Sequence, residues 1–148
     1  MDGNTTPQRD QTDPGAARPA PLAFVVDDDA ATLALLCDIA EDCGWTARGF
    51  TRLGETTANL RHEHPDLLIL DDDLPDGSGG EMARRIRQDP RLQDVVVLVC
   101  TAAHPMRQAE IGSWAPVVSK PFDIADLERF LDAAARRHYR AEQHSAAG

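Results

Sequence analysis

Short apolar runs of strand length alternate along this chain with stretches whose apolar residues recur at helical spacing. Leu22-Ala23-Phe24-Val25-Val26 is the first run. Leu36, Ile39, Ala40 and Cys43 then fall at i, i+3, i+4 and i+7, one face of a helix. Trp45 to Phe50 reads as a half-polar strand, and Thr51 to about Glu63 as a weak helix interrupted by Gly54. Leu67-Leu68-Ile69-Leu70 is a strand with apolar residues on both faces. Ser78 and Glu81 have capping-box spacing, and Met82 and Ile86 follow on one helical face. Val95 to Cys100 carries the strongest strand pattern. Pro105 suits the first position of a short helix and Gly112 its end, and Pro116 to Ser119 is a short strand. Asp123 and Asp126 open a last helix with Ile124, Leu127, Leu131 and Ala134 facing inward.

The order is strand then helix, five times over. Strands apolar on both faces belong in a parallel sheet covered on both sides by helices. Right-handed crossovers then predict an α/β fold, a doubly wound (βα)5 sandwich around a five-stranded parallel sheet. The 148 residues suffice for one such domain. Residues 1–20 read as a disordered tail, 21–138 as the folded domain, and 139–148 as a flexible C-terminal tail. No apolar stretch approaches the ~20 residues of a membrane helix. The run from Ala20 to Val26 is too short, and too acidic downstream, for a secretory signal. Three cysteines, Cys37, Cys43 and Cys100, make no disulfide framework and point to the cytoplasm. A net charge of −10 with no basic patch argues against nucleic acid as a partner.

In doubly wound sheets ligands bind at the carboxyl ends of the strands. Asp27, Asp28 and Asp29 end the first strand here, and Asp71, Asp72 and Asp73 the third. Thr101 ends the fourth, and Lys120 with Pro121 the fifth. Crowded carboxylates repel unless a cation intervenes, and a hard ion such as Mg²⁺ suits them. A carboxylate beside Mg²⁺ can attack phosphorus, with the hydroxyl and the ammonium holding the transferred oxygens. Lys120 is the only lysine beside fourteen arginines, a compact point charge where one phosphoryl oxygen would sit.

Four pieces, Phe24-Val25-Val26-Asp27-Asp28-Asp29, Leu68-Ile69-Leu70-Asp71-Asp72-Asp73-Leu74-Pro75-Asp76-Gly77-Ser78-Gly79, Val99-Cys100-Thr101-Ala102 and Val118-Ser119-Lys120-Pro121-Phe122, each stand at an expected strand end. Together they resemble the receiver domain of two-component response regulators, over about residues 22–138. The resemblance implies a flavodoxin-like sheet of order 2-1-3-4-5 and a Mg²⁺-dependent phosphoacceptor at Asp71. It implies metal ligation by Asp27, Asp28, Asp71 and the backbone carbonyl of Asp73, with one of the first two acting through water. It makes Thr101 the switch hydroxyl and Lys120 its charged partner, with a cis Lys120–Pro121 peptide. The implied partners are a sensor histidine kinase or histidine phosphotransferase and a downstream protein. The protein would be cytoplasmic, a monomer or a weak phosphorylation-dependent dimer, and with no output domain after the last helix it would signal by protein contact. Two departures stand out: Val117 replaces the family's frequent aromatic, and the segment from Thr101 to Lys120 is short.

Other readings accompany these. Asp71-Asp72-Asp73 also fits the nucleophile and general acid of haloacid-dehalogenase-like phosphatases, although a whole βαβ unit precedes it. A degenerate receiver serving as a scaffold is a third possibility. Asp29 reads as a helix N-cap, Asp72 and Asp76 as solvated turn residues, the five histidines as surface groups, and Arg84, Arg85 and Arg87 as a solvated helix face. Asp73 and Ala103 flank the expected water entry and are expected to tune loss of the phosphoryl group.

Overall fold

The computed structural model describes residues 19–146. The main sheet contains β1 (Leu22–Val26), β2 (Thr46–Phe50), β3 (Leu67–Asp71), β4 (Val96–Thr101) and β5 (Val117–Ser119). All pairings are parallel, in the order β2-β1-β3-β4-β5. Helices α1 (Ala30–Asp42), α2 (Leu53–Leu60), α3 (Gly79–Gln88), α4 (Pro105–Gly112) and α5 (Ile124–Ala146) follow the strands in turn. This is the doubly wound sandwich expected from the sequence.

Side chains alternate across a strand, so each central strand feeds two cores. Ala23 and Val25 of β1, Leu67 and Ile69 of β3, and Leu98 and Cys100 of β4 join Leu36, Ile39, Leu127 and Leu131 on the α1–α5 side. Phe24 and Val26, Leu68 and Leu70, and Val97 and Val99 join Met82, Ile86 and Ile111 on the other. The Trp45 indole is 3% exposed, and its Nε1–H donates to the Leu131 carbonyl at 3.2 Å, tying the start of β2 to α5.

Caps begin the helices where the sequence places them. Asp29 accepts from the Thr32 amide at 3.2 Å, Ser78 from Glu81 at 3.2 Å, and Asp123 from Ala125 at 2.8 Å. Pro105 opens α4, with the His104 ring accepting from the Met106 amide at 3.2 Å. Register then sets the height of the strand ends. Val26 is level with Leu70, Asp71 with Cys100, and Thr101 with Ser119. The residues that follow emerge on one edge.

The chain departs from the expected pattern in three places. A two-residue antiparallel pairing joins Asp73–Leu74 to Gly77–Ser78 inside the β3–α3 connection, too short to show as periodicity. Helix α2 covers Leu53–Leu60 rather than Thr51 to Glu63. Helix α5 continues through residues 139–146, where the sequence reading ends the domain. Its apolar stripe stops earlier, but His138 lies 3.2 Å from Asp66 on one side and 3.2 Å from Glu142 on the other, so polar contacts carry the helix on. The expected N-terminal tail, apart from Pro19 and Ala20, lies outside the described residues. Among the described residues no helix is long and apolar enough to cross a membrane.

Leu98 is fully buried in the middle of the sheet. Leu98→Ala should lower the unfolding free energy by about 2–5 kcal/mol, the usual cost of such a cavity. Exposed Arg136→Ala should change it by less than about 0.5 kcal/mol. Urea midpoints of the two variants test this.

Candidate functional site

The site is built from strand ends. Asp27 follows β1 and is 1% exposed; its amide donates to the Phe50 carbonyl at 3.1 Å. That bond fixes the turn out of the strand. One carboxylate oxygen, Oδ1, accepts from the Asp29 amide at 2.9 Å, and the other accepts from Lys120 Nζ at 2.6 Å. Asp71 closes β3 at 7% exposure. Its Oδ2 lies 3.5 Å from Lys120 Nζ, and its Oδ1 accepts from the Asp73 amide at 3.4 Å. Asp28 is exposed beside them. Asp27, Asp28 and Asp71 each offer a carboxylate oxygen, and these oxygens lie within 4.8 Å of one another.

Burial pushes Asp71 above the ordinary carboxylate range, and the neighbouring Asp27 charge adds to this while Lys120 opposes it. Burial also works against the charge on Lys120. Its hydrogen bond to Asp27 and the charges of Asp27 and Asp71 outweigh that penalty and hold it above the usual lysine value. The Cys100 thiol, buried behind the site at the end of β4, is pushed up to about 12, mainly by burial, and stays protonated.

Thr101 ends β4 at 2% exposure, with its hydroxyl accepting from the Ala103 amide at 3.0 Å. Its carbonyl accepts from the Lys120 amide at 2.8 Å, which holds the two strand ends level. The Lys120–Pro121 peptide is cis. Val117 packs into the core on the α3–α4 side. A cavity of about 600 Å³ opens over this edge, lined by Asp28, Asp71, Thr101 and Lys120 among others. The structure therefore brings together every side chain that the sequence placed at the site, and the Asp73 backbone is beside it.

Sequence reasoning missed a second layer. Asp72 is not a solvated turn residue: its side chain is 11% exposed. Arg107 of α4 grips it with two bonds, Nε to Oδ2 and Nη2 to Oδ1, both 3.1 Å. Ser78 Oγ donates to Asp72 Oδ1 at 2.7 Å and the Gly80 amide at 3.0 Å. Burial opposes its charge, but the bonds from Arg107, Ser78 and Gly80 prevail and hold Asp72 below the usual carboxylate range. Asp76 is an exposed turn residue, as expected, and its two oxygens accept from the Leu53 and Gly54 amides, each at 2.9 Å, and begin α2. Arg84 and Arg87 also have partners: Arg84 stacks on Trp114, and Arg87 donates to the Trp114 carbonyl at 3.0 Å. Two glycines let the loop between β3 and α3 close up. A Cβ on Gly79 would lie 2.0 Å from the Asp71 carbonyl oxygen, and one on Gly80 would meet Asp72, Ile111 and Arg107 at 2.8–3.0 Å. Glycine at Ser78-Gly79-Gly80 was a usable signal; the partnership of Asp72 with a residue 35 positions away was not.

The family model for the response regulator receiver domain matches residues 23–132. The chain belongs to that family. Among curated relatives it is 35% identical over 121 residues to the phosphate regulon transcriptional regulatory protein PhoB of Rhizobium meliloti, covering 79% of this chain and 53% of that one. It is 31% identical over 114 residues to the polar-differentiation response regulator DivK of Brucella ovis, covering 74% and 89%. The chain thus spans about half the length of the PhoB-type relatives and most of the DivK type. Its fold matches a putative response regulator from Chloroflexus aurantiacus (TM-score 0.72, 23% identity, 80% of this chain and 99% of that one). It also matches the chemotaxis response regulator CheY4 of Vibrio cholerae (TM-score 0.66, 19% identity, 78% and 98%).

Because Asp72 is depressed in the fold, its contribution to stability is complete above the ordinary unfolded carboxylate value of 3.8 and is lost as pH falls through the lower folded value. Asp72→Asn should therefore be less stable than wild type by about 1–3 kcal/mol near pH 6, the cost of losing charged partners for half-buried donors. The gap should narrow below pH 4. Urea titrations at pH 6 and pH 3 measure it, and an equal gap at both would contradict the assignment.

Proposed function

We propose that this chain is a phosphoreceiver in a two-component pathway. Asp71 takes a phosphoryl group from a phosphohistidine of a sensor histidine kinase or histidine phosphotransferase, in a Mg²⁺-dependent reaction in the cytoplasm. The phosphorylated protein then signals by contact with another protein. The observation that carries this reading is the convergence of Asp27, Asp28 and Asp71 within 4.8 Å under a single lysine, at the mouth of an open cavity.

The donor set suits a hard divalent ion: it consists of carboxylate oxygens with room above them, and none of the three is a soft ligand. Asp27, Asp28, Asp71 and the Asp73 carbonyl would hold Mg²⁺. When bound, the ion supplies charge neutralisation for the transferred oxygens. Asp71 is the nucleophile. An oxygen of its carboxylate forms the new bond to phosphorus as the phosphorus–nitrogen bond of phosphohistidine breaks, and the imidazole leaves as a neutral base after taking a proton from solvent. The product is an acyl phosphate. Burial strips water from the Asp71 carboxylate and favours its attack. Lys120, already placed between Asp27 and Asp71, turns to one phosphoryl oxygen, and the Thr101 hydroxyl turns from the Ala103 amide towards another.

Intact mass after incubation with acetyl phosphate tests the reading. Wild type should gain one phosphoryl group with Mg²⁺ present and none without it, and Asp71→Asn should gain none in either case. An adduct that survives Asp71→Asn would overturn the assignment. Turnover of p-nitrophenyl phosphate would instead mark an Asp-x-Asp phosphatase.

A further inference from the structure

Arg107 is the second cation on the wall of the cavity that holds Asp71 and Lys120. It reaches there from α4, and every bond it makes is to an acidic or hydroxyl oxygen. Its fork grips Asp72, Nη2 donates to Ser78 Oγ at 2.9 Å, and Nη1 donates to Glu110 at 3.1 Å with Glu81 3.7 Å away. Asp72 is the residue next to the phosphoacceptor. The guanidinium thus fastens α4 to the acceptor loop, one peptide unit from Asp71.

We propose that Arg107 is a reserve ligand for the phosphoryl group, stored on Asp72 and drawn off it when Asp71 is phosphorylated, so that α4 is released from the acceptor loop. The inference rests on the phosphoreceiver reading and adds to it a residue and a route of response. Three observations support it. First, the site is short of positive charge. An acyl phosphate on Asp71 carries a charge approaching −2 in a cavity also walled by Asp28, Asp72 and Asp73 and backed by Asp27, and a divalent ion together with Lys120, which is shared with Asp27 at 2.6 Å, does not balance them all. Second, a planar guanidinium fits two phosphoryl oxygens as well as it fits a carboxylate, and the more highly charged group wins the competition. Third, Asp72 keeps part of its hydrogen bonding when Arg107 leaves. Its Oδ1 keeps the Ser78 hydroxyl and the Gly80 amide, so only Oδ2 loses its donor. Ser78 Oγ likewise keeps the Glu81 amide.

Competition and simple stapling differ in sign. If Arg107 only braces the fold, removing either partner loosens the site and both variants bind a phosphoryl mimic more weakly. If Asp72 and the phosphoryl group compete for Arg107, removing Asp72 strengthens binding and removing Arg107 weakens it. The probe is trifluoroberyllate with Mg²⁺, titrated into the full chain by calorimetry. Asp72→Asn should bind roughly threefold to tenfold more tightly than wild type, and Arg107→Met more weakly by a similar factor, the scale of one charge-assisted hydrogen bond. The double variant should bind no more tightly than Arg107→Met alone. Arg107→Lys, which keeps the charge without the fork, should fall between wild type and Arg107→Met.

Weaker binding by both single variants would overturn the inference in favour of a brace. A gain from Asp72→Asn that persists undiminished in the Arg107→Met background would overturn it in favour of plain charge removal. Either result leaves the phosphoreceiver reading standing, provided wild type binds the probe and gains mass from acetyl phosphate. Failure of wild type in both assays would remove that reading and this inference with it.

Discussion

The bond between Lys120 and Asp27 is the interaction on which the site depends. Asp27 and Asp71 are buried carboxylates from neighbouring strands, and without a positive charge between them each would raise the cost of ionising the other. Lys120 lies 2.6 Å from one and 3.5 Å from the other. It arrives from the end of the fifth strand, three places along the sheet from β1, and it is held there by the bond from its own amide to Thr101. The register of four strands therefore serves one local electrostatic need. A slip of one residue in β3 would turn Asp71 to the opposite face, and no rearrangement of side chains would restore the cluster.

Much of this was legible in the sequence for a simple reason. Residues that end apolar strands in a doubly wound sheet share one edge, so Asp27, Asp28, Asp71, Thr101 and Lys120 can be gathered there from the sequence alone. The helix caps Asp29 and Ser78 were legible because their partners lie three residues away. The partners of Asp72 and Asp76 were not. An aspartate in a turn looks solvated from its neighbours alone, and the groups that claim these two, Arg107 and the start of α2, lie 35 and 22 or 23 positions distant. The last turns of α5 were missed because their support is polar and shows no apolar period.

The loop after β3 is consequently held from both sides. Asp76 takes up the first amides of α2, and Asp72 takes the guanidinium of α4. The indole of Trp114, just past α4, donates to the Gly80 carbonyl at 2.8 Å and closes the same seam further from the site. The charged seam from Asp72 and Ser78 to Arg107 is thus a direct physical connection from the loop after β3 to α4.

The order of the strands has a consequence for how the charges are assembled as the chain is made. Asp27, Asp28 and Asp71 all belong to β2-β1-β3, which is complete once residue 71 has emerged. The lysine that reconciles them is 93 positions beyond Asp27. A chain in which only these three strands have formed thus holds the carboxylates without their lysine, which arrives with β5. In this fold the partial neutralisation of the site by Lys120 and the completion of the sheet come together, with the last strand supplying both.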